Sequence, residues 1–479
     1  MKNLRMVWKV GKQLILGSLL IMMFAMQGCK DDNPDPGPDP NPEYDPEVYQ
    51  FIQELYYVAY YWNTEVDSYI NITKKPPTTG HPEEYFESLK YDEKKASASD
   101  KSAKRYDRWG FMTTYLDFVG VLVEGEYKSF GYNVTNRTPD HSVRVCFVYK
   151  DSPMDKAGVK RGYQLLKLGG VDIGTLMNNG TVNTELNKET NRYVFADHAG
   201  NVLEEKTISA TVVKIDPILS NTIYEVDGKK VGYIAYNTFI FSSEAAITKA
   251  LQDMNDVDEF ILDLRYNGGG STAVAEAICE HLLPAEYSDS VVFAKYVFSD
   301  LTKERTKWKD QIVKIKRHAQ AMNLKRMFVI TASGTASASE EVINDMKPFL
   351  SEGVITVGAA THGKPVGMYV FLYPQYSDKE IEAGKLPDWA FAPITFRNDN
   401  KDDKGDYFLG IPPKIAVSDD LFNDFGVDPE TLKGEGCLQA VMEYIQTGSF
   451  PTSVSVKSVH EEIDDPFQLK GLQIHAGCR

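Results

Sequence analysis

The sequence predicts a multidomain α/β protein, and three observations support this fold class. The chain has 479 residues, enough for about two to four domains at ~150 residues each. Its hydrophobic content of 42% and charged content of 25% are typical of globular domains with buried cores. Between residues 217 and 447, apolar strand-like segments alternate with helical segments, and that order predicts a largely parallel sheet covered by helices.

Seven segments carry this alternation: a strand at 231–236, a helix at 243–254, a strand at 259–264, a helix at 272–283, a strand at 327–331, a helix at 338–350 and a strand at 354–357. Residues 448–479 show no strong periodicity and stay unassigned.

The first 28 residues carry the pattern of a secretory signal. Basic residues precede an apolar stretch from Leu14 to Met26, which is shorter than the ~20 residues that span a bilayer. The small residue before Cys29 resembles the cleavage site of bacterial lipoproteins, so Cys29 is expected to become the acylated N-terminus. Residues 30–32, Lys-Asp-Asp, resemble the surface-export tag of Bacteroidota lipoproteins. These features predict a cell-envelope protein anchored by lipid to the outer membrane and exposed at the surface; an ordinary signal peptide or an N-terminal anchor is the alternative.

Residues 29–46 form a linker rich in proline and aspartate, where alternating proline excludes helix and sheet. Apolar and aromatic residues at helical spacing over 47–63 predict a packed helix, and residues 109–123 predict a second helix. Residues 47–125 are therefore expected to form a helical N-terminal domain.

Charge and metal-ligand patterns exclude several classes of function. A net charge of −16 argues against nucleic-acid binding, which needs a basic face. The cysteines lack Cys-x-x-Cys spacing and the histidines lack His-x-x-x-His spacing, so no metal and no other cofactor is expected. Cys146 and Cys279 lie in apolar surroundings and are expected to be buried free thiols. A bridge between Cys437 and Cys478 remains open.

Three segments at the carboxyl ends of predicted strands carry the chemistry, because α/β sheets place their sites there. Residues 263–271 contain three glycines before a helix, whose free N–H groups can stabilise an anion. Residues 331–340 are mostly small and expose a serine hydroxyl at a helix N-terminus, although spacing alone favours simple helix capping. In residues 361–367, burial of Lys364 would lower its pKa toward that of a useful base, and a surface lysine is the alternative.

Together these segments resemble the S41 family of C-terminal (tail-specific) processing peptidases. The resemblance rests on Asp-Leu-Arg-x-Asn-x-Gly-Gly from residue 263, Ser-Ala-Ser-Glu from residue 337 and the Gly-Lys pair ending at Lys364. It implies a crotonase-like α/β catalytic core over residues 217–447, and a serine endopeptidase that cleaves proteins or peptides through an acyl-enzyme. It also implies Ser337 as nucleophile and Lys364 as general base. The oxyanion donors would be the N–H of Ala338 and that of Gly268 or Gly269.

Residues 126–216 resemble a PDZ domain of the type attached to bacterial proteases. The resemblance rests on a short helix that begins after Ser152 and ends at Gly158, followed by a strand and a Gly-Gly turn. It implies binding of peptide C-termini, with the loop of Phe130, Gly131 and Tyr132 offering N–H groups to the carboxylate. Residues 171–207 are expected to be an insertion. A purely structural β domain is the alternative.

One position departs from the family pattern. Met368 stands where many members carry a glutamine that orients the lysine, and a thioether cannot donate a hydrogen bond. His362 is the nearest candidate to orient Lys364 instead. A catalytically degenerate peptide-binding lipoprotein is therefore the alternative function. A Ser-His-Asp/Glu hydrolase would need a Gly-x-Ser-x-Gly turn around Ser337, which is absent, and a tricorn-like Ser-His arrangement is disfavoured by Lys364.

Overall fold

The computed structural model describes residues 44–70, 72, 75–77, 80–137, 142–186, 188–287 and 289–451. The predicted signal peptide, the lipid site at Cys29, most of the linker, Cys478 and nearly all of the unassigned tail lie outside the described residues. Within the described ranges, no helix has the length and apolar character needed to cross a membrane.

The N-terminal region begins with helix α1 (Pro46–Val58). Pro46 occupies its first turn and the side chain of Asp45 accepts the N–H of Glu47, which together fix where the helix starts. Its aromatic and aliphatic side chains pack into a core, as the helical spacing predicted. The elements that follow are α2 (Asn63–Val66), α3 (Pro82–Leu89), α4 (Ala98–Ser102), β1 (Phe111–Thr114), α5 (Tyr115–Phe118) and a π-helical turn (Val119–Glu124).

The predicted second helix over residues 109–123 is only partly right. Residues 111–114 form strand β1, which pairs antiparallel with Trp389–Ala392, so pairing with a distant segment overrides the helical spacing. The core of this region also includes Val366, Phe371 and Phe391. The N-terminal region therefore packs directly onto the catalytic part of the chain and shares a core with it.

The PDZ-like region is a small sheet with short helices. Its elements are β2 (Glu126–Ser129), β3 (Tyr132–Arg137), β4 (Ser142–Val148), α6 (Pro153–Lys156), β5 (Gln164–Leu168), β6 (Val171–Asp172), α7 (Ile173–Asn178), α8 (Val182–Leu186), β7 (Thr190–Ala196), β8 (Lys206–Ser209) and β9 (Thr211–Lys214). The strand order is β3–β4–β5–β7–β8, so β3 is an edge strand, with β6 beside β5 and a separate β2–β9 pair. Ser152 caps α6 by accepting the N–H of Asp155 at 3.2 Å, as predicted.

The expected insertion at residues 171–207 is an integral part of this region. It supplies the interior strand β7, and its side chains Leu176, Tyr193 and Phe195 are buried in the core of this region. The sequence hides this because the strand follows two short helices and a polar stretch.

The region of residues 217–447, predicted to be catalytic, alternates strands and helices. Its first half contains β10 (Ile218–Val226), β11 (Lys229–Tyr236), α9 (Glu244–Asp253), β12 (Glu259–Asp263), α10 (Thr272–Leu282), β13 (Val291–Val297), α11 (Asp300–Thr306), β14 (Gln311–Ile315) and β15 (Arg326–Thr331). The second half contains α12 (Ala338–Met346), β16 (Gly353–Gly358), β17 (Val366–Met368), β18 (Phe371–Tyr373), α13 (Asp378–Glu382), β19 (Trp389–Ala392), β20 (Ile394–Asn400), β21 (Ile415–Ala416) and α14 (Gly436–Thr447).

The main sheet has the order β10–β11–β12–β15–β16–β21, and every neighbouring pair is parallel except β10–β11. This confirms the predicted mixed α/β fold. Helices α9, α10 and α12 bury one face of the sheet, and the C-terminal helix α14 covers the other. Helix α14 is not among the helices predicted from the sequence. Two smaller sheets, β14–β13–β20–β17 and β1–β19–β18, complete the region. The carboxyl ends of β12, β15 and β16 lie side by side, and each leads into one of the three predicted chemical segments.

The three described cysteines are buried and form no disulfide with one another, as expected for Cys146 and Cys279. The third, Cys437, lies 3.8 Å from the carbonyl oxygens of Val417 and Ser418. The predicted alternative of a bridge to Cys478 stays untested, since Cys478 is outside the described residues.

Candidate active site

The glycine loop follows β12 and is held by Asn267, which is completely buried. The Asn267 side chain donates to the carbonyl of Tyr236 at 2.9 Å and accepts the N–H of Gly269 at 2.8 Å. Its own carbonyl accepts the N–H of Ala336 at 3.1 Å and the hydroxyl of Ser339 at 3.0 Å. Asn267 therefore ties the glycine loop to the turn that carries Ser337.

Gly269 must be glycine because the two segments touch there. Its φ is +100°, and a Cβ at this position would lie 2.7 Å from the Cβ of Ser337 and 2.9 Å from the backbone nitrogen of Ala338. The predicted oxyanion donors are thus close to each other. Since the Gly269 N–H is donated to Asn267, Gly268 is the better of the two predicted glycine donors; no described residue accepts its N–H.

Ser337 lies at the N-cap of α12 with φ +56° and ψ −120°. A side chain other than glycine rarely adopts this conformation, and such strain is found mainly at functional sites. Ala338 follows as the first helical residue, and its N–H has no partner inside the helix. The arrangement places a serine hydroxyl beside a free helix N–H, which suits a nucleophile with an adjacent oxyanion donor.

The buried carboxyl group of Glu340 fastens the serine turn to the lysine turn. One oxygen accepts the hydroxyl of Thr361 at 2.5 Å and the N–H of Gly363 at 2.7 Å; the other accepts the N–H of Lys364 at 2.8 Å and of Ser337 at 3.0 Å. Burial raises the pKa of Glu340, and the four donors oppose that rise. Sequence reasoning missed this role, although Ser337 and Glu340 have the spacing of a helix capping box.

Lys364 follows β16 and lies close to the glycine loop, as part of the same cleft. Burial lowers its pKa to about 8, while the negative charges of Asp107 and Glu340 act in the opposite direction. Among the described residues, none forms a hydrogen bond or ion pair with its amine. A substantial fraction of this lysine is therefore neutral near pH 8 and able to accept a proton.

His362 faces Trp109 in the structure. Its Nε2 accepts a hydrogen bond from the Trp109 indole at 3.1 Å. Burial, followed by the nearby charges of Arg108 and Lys364, lowers the pKa of His362 to about 3, so the imidazole is neutral. Within the described chain it makes no hydrogen bond to Lys364. The predicted orienting role for His362 therefore has no direct contact to support it.

Ser337, Lys364 and the glycine loop line one cleft of about 280 Å³. Its other walls are mostly apolar, and Lys364 is the one charged residue among those that line it. The lining side chains include Phe111, Phe118, Leu122, Tyr296, Met368, Phe371 and Phe396. Met368, at the position where a glutamine is usual, thus contributes apolar surface to the cleft.

Arg265 and Asp263 lie beneath the glycine loop and are held there by buried ion pairs. Arg265 is 1% exposed and pairs with Asp263, Asp419 and Glu435 at 2.5 to 2.9 Å. Asp419 also accepts from Arg161 of the PDZ-like region at 3.0 Å and from the hydroxyl of Tyr266. Burial would raise the pKa of Asp419, but the two arginines hold it at about 2. These buried pairs join the glycine loop to the PDZ-like region and to the C-terminal segment.

The predicted carboxylate loop of the PDZ-like region precedes the edge strand β3. Phe130 is buried against Tyr193, with ring centroids 5.5 Å apart. The Gly131 N–H is donated to the Ser129 hydroxyl at 3.0 Å, so it is already engaged in this conformation. Tyr132 begins β3, whose outer edge is not paired with another described strand.

Residues 230–385 match the model of peptidase family S41, and this match confirms the predicted resemblance over that segment.

Among curated proteins, the chain is similar to the carboxyl-terminal-processing protease of Synechocystis sp., with 24% identity over 248 residues, 51% of this chain and 54% of that protein. It is also similar to the carboxy-terminal processing protease CtpB of Bacillus subtilis, with 24% identity over 215 residues, 43% and 41% of the two chains. The chain spans about half the length of these curated relatives. The chain is also similar to the solved structure of a candidate S41 protease from Bacteroides fragilis. The match covers 85% of this chain and 99% of the solved chain, with a TM-score of 0.62 and 22% identity, and it shows the fold.

Proposed function

We propose that this chain is a serine endopeptidase that cleaves proteins or peptides with Ser337 as nucleophile and Lys364 as general base. The observation that carries the proposal is the shared cleft, in which a strained serine, a buried lysine of lowered pKa and a free helix N–H lie together. The relatives named as carboxyl-terminal-processing proteases support the same class of substrate.

The proposed reaction is acyl transfer. Neutral Lys364 removes the proton from the Ser337 hydroxyl, and the alkoxide attacks the peptide carbonyl. The N–H groups of Gly268 and Ala338 stabilise the tetrahedral oxyanion. The protonated Lys364 then gives its proton to the leaving amine. Water, activated by the same lysine, hydrolyses the acyl-enzyme and restores the free serine.

The apolar walls of the cleft support a preference for apolar side chains next to the scissile bond, since burial of such side chains is favourable by about 1.5–3 kcal/mol each. The edge strand β3 supports a second contact in the PDZ-like region, where an extended peptide C-terminus would add a strand. The signal sequence and Cys29 support a lipid-anchored protein at the outer membrane, with the body exposed at the cell surface.

The test is reaction of the purified protein with a fluorophosphonate probe, followed by peptide mapping. Wild type should be labelled at Ser337, and Ser337→Ala should not be labelled at all. Ser333→Ala is the matched control in the same turn and should be labelled like wild type. Absence of labelling of a folded wild type would favour the alternative, a peptide-binding protein with a degenerate peptidase fold.

A further inference from the structure

Three consecutive residues of the N-terminal region face the three residues that end at the lysine. The Trp109 indole donates to His362 at 3.1 Å, and the Arg108 guanidinium donates to the carbonyl of Gly363 at 3.2 Å. Among the nearby charges, the negative charge of Asp107 does most to raise the pKa of Lys364. The two segments thus run in antiparallel order, with hydrogen bonds from Trp109 to His362 and from Arg108 to Gly363, and with the charge of Asp107 acting on Lys364.

Asp107 itself is held firmly. It is 4% exposed, and its carboxylate accepts from the Tyr60 hydroxyl at 2.8 Å and from the N–H groups of Trp109 and Gly110 at 2.9 and 2.8 Å. Arg108 stacks over the Trp109 ring at 4.4 Å and also reaches the carbonyl of Phe408. The segment is therefore a rigid surface against which the lysine turn rests.

The lysine turn needs such support because Met368 cannot donate a hydrogen bond to it. Glu340 fixes the turn from one side, through the backbone of Gly363 and Lys364. Arg108 and Trp109 contact it from the other side, and residues 107–109 lie outside the segment that matches the peptidase family.

We propose that Asp107, Arg108 and Trp109 are positioning residues for the general base, and that they hold the turn His362–Lys364 in place of the missing glutamine. This inference rests on the proposed peptidase function. Arg108 and Trp109 act through position, and Asp107 acts through its charge. The other charged or titratable groups around the turn are Glu340, His362 and Lys104.

The experiment measures the rate of fluorophosphonate labelling of Ser337 against pH in the full chain. In wild type the rate should rise through an apparent pKa of about 8. Asp107→Asn removes a negative charge near the lysine, which lowers the lysine pKa. The rising limb should therefore move to lower pH by about 0.5–1 unit. A purely structural role would lower the rate at every pH and leave the limb where it is.

Arg108→Met tests positioning and should slow labelling by about tenfold or more. Lys101→Met is its matched control, since it removes the same charge from an exposed position in α4, and should label at the wild-type rate. Trp109→Phe keeps an aromatic ring and removes the hydrogen-bond donor to His362, so labelling should slow several-fold. This variant tests the positioning role if Asp107→Asn does not fold.

The outcomes separate the two proposals. A wild type that is folded and unlabelled overturns the proposed function and this inference with it. A labelled wild type in which Asp107→Asn leaves the limb unmoved, or in which Arg108→Met and Trp109→Phe label at the wild-type rate, overturns the positioning role alone.

Discussion

Replacement of Glu340 by glutamine should disable the site without touching either proposed reacting group. The carboxyl group has two acceptor oxygens that serve four donors, three of them backbone N–H groups. An amide of the same shape keeps one acceptor oxygen and turns two N–H bonds toward the other pair of donors. Whichever way the amide is oriented, at least one buried backbone N–H loses its acceptor.

The magnitude follows from the number of stranded donors. If the amide nitrogen faces Thr361, the hydroxyl can rotate to accept, and the N–H of Gly363 is left alone. If it faces the other side, the N–H groups of Ser337 and Lys364 both lose their acceptor. A buried donor without a partner costs about 1–3 kcal/mol, so in the better orientation, which strands one N–H, the free energy of unfolding should fall by about 1–3 kcal/mol. The melting temperature should fall by about 2–12 °C.

The assay combines thermal unfolding with the rate of fluorophosphonate labelling at Ser337. Glu380→Gln is the matched control, because Glu380 accepts the N–H of Ser377 at 3.0 Å in the same Ser-x-x-Glu pattern on the exposed helix α13. That change should cost under about 1 kcal/mol and leave labelling intact. Labelling of Glu340→Gln should fall at least tenfold. If melting temperature and labelling rate both match wild type, the Glu340 carboxyl is not what joins the two turns.

Three further outcomes are expected. Lys364→Arg should abolish labelling across the pH range, because arginine stays protonated. Wild-type labelling should rise through about pH 8 as Lys364 loses its proton. A rise in the labelling rate near pH ~6.5 would point to a histidine base instead. Burial raises the pKa of Glu276 to about 7, so ionisation of this carboxyl lowers the stability of the fold as pH rises from the ordinary glutamate range through about 7. In urea unfolding, Glu276→Gln should match the stability of wild type near pH 4. At pH 8 its free energy of unfolding should exceed that of wild type by about 1–3 kcal/mol. Cys29→Ser should leave the precursor uncleaved or release the protein from the detergent phase, and a wild-type N-terminus elsewhere without lipid mass would contradict the anchor.

The sheet and its three chemical segments could be predicted because their signals are local. Strands β11, β12, β15 and β16 are nearly continuous apolar runs, which is the pattern of a parallel sheet buried on both faces. Parallel strands bring their carboxyl ends to one edge, so the approach of Ser337 to Lys364 followed from topology.

The contacts between distant segments could not be predicted in the same way. Trp109 and His362 are 253 positions apart, and nothing near either residue indicates the other. Strand β1 was predicted as helix because its partner β19 lies far along the chain. The sequence predicts an insertion at residues 171–207, because nothing near strand β7 indicates that it pairs with β5.

The partners of Arg265 also impose an order of assembly. Asp419 and Glu435 follow Arg265 by 154 and 170 positions. Asp419 also binds Arg161, which precedes all strands of the main sheet. Translation delivers the chain from its N-terminus, so the serine, the lysine and the glycine loop all emerge before Asp419 and Glu435. Until residue 419 has arrived, a buried guanidinium beneath the loop would lack two of its three carboxylates, and until residue 435 it would lack one, an arrangement that is strongly unfavourable. On the proposed function, the oxyanion-binding loop is therefore held in place only after the C-terminal segment that carries Asp419 and Glu435 has been made.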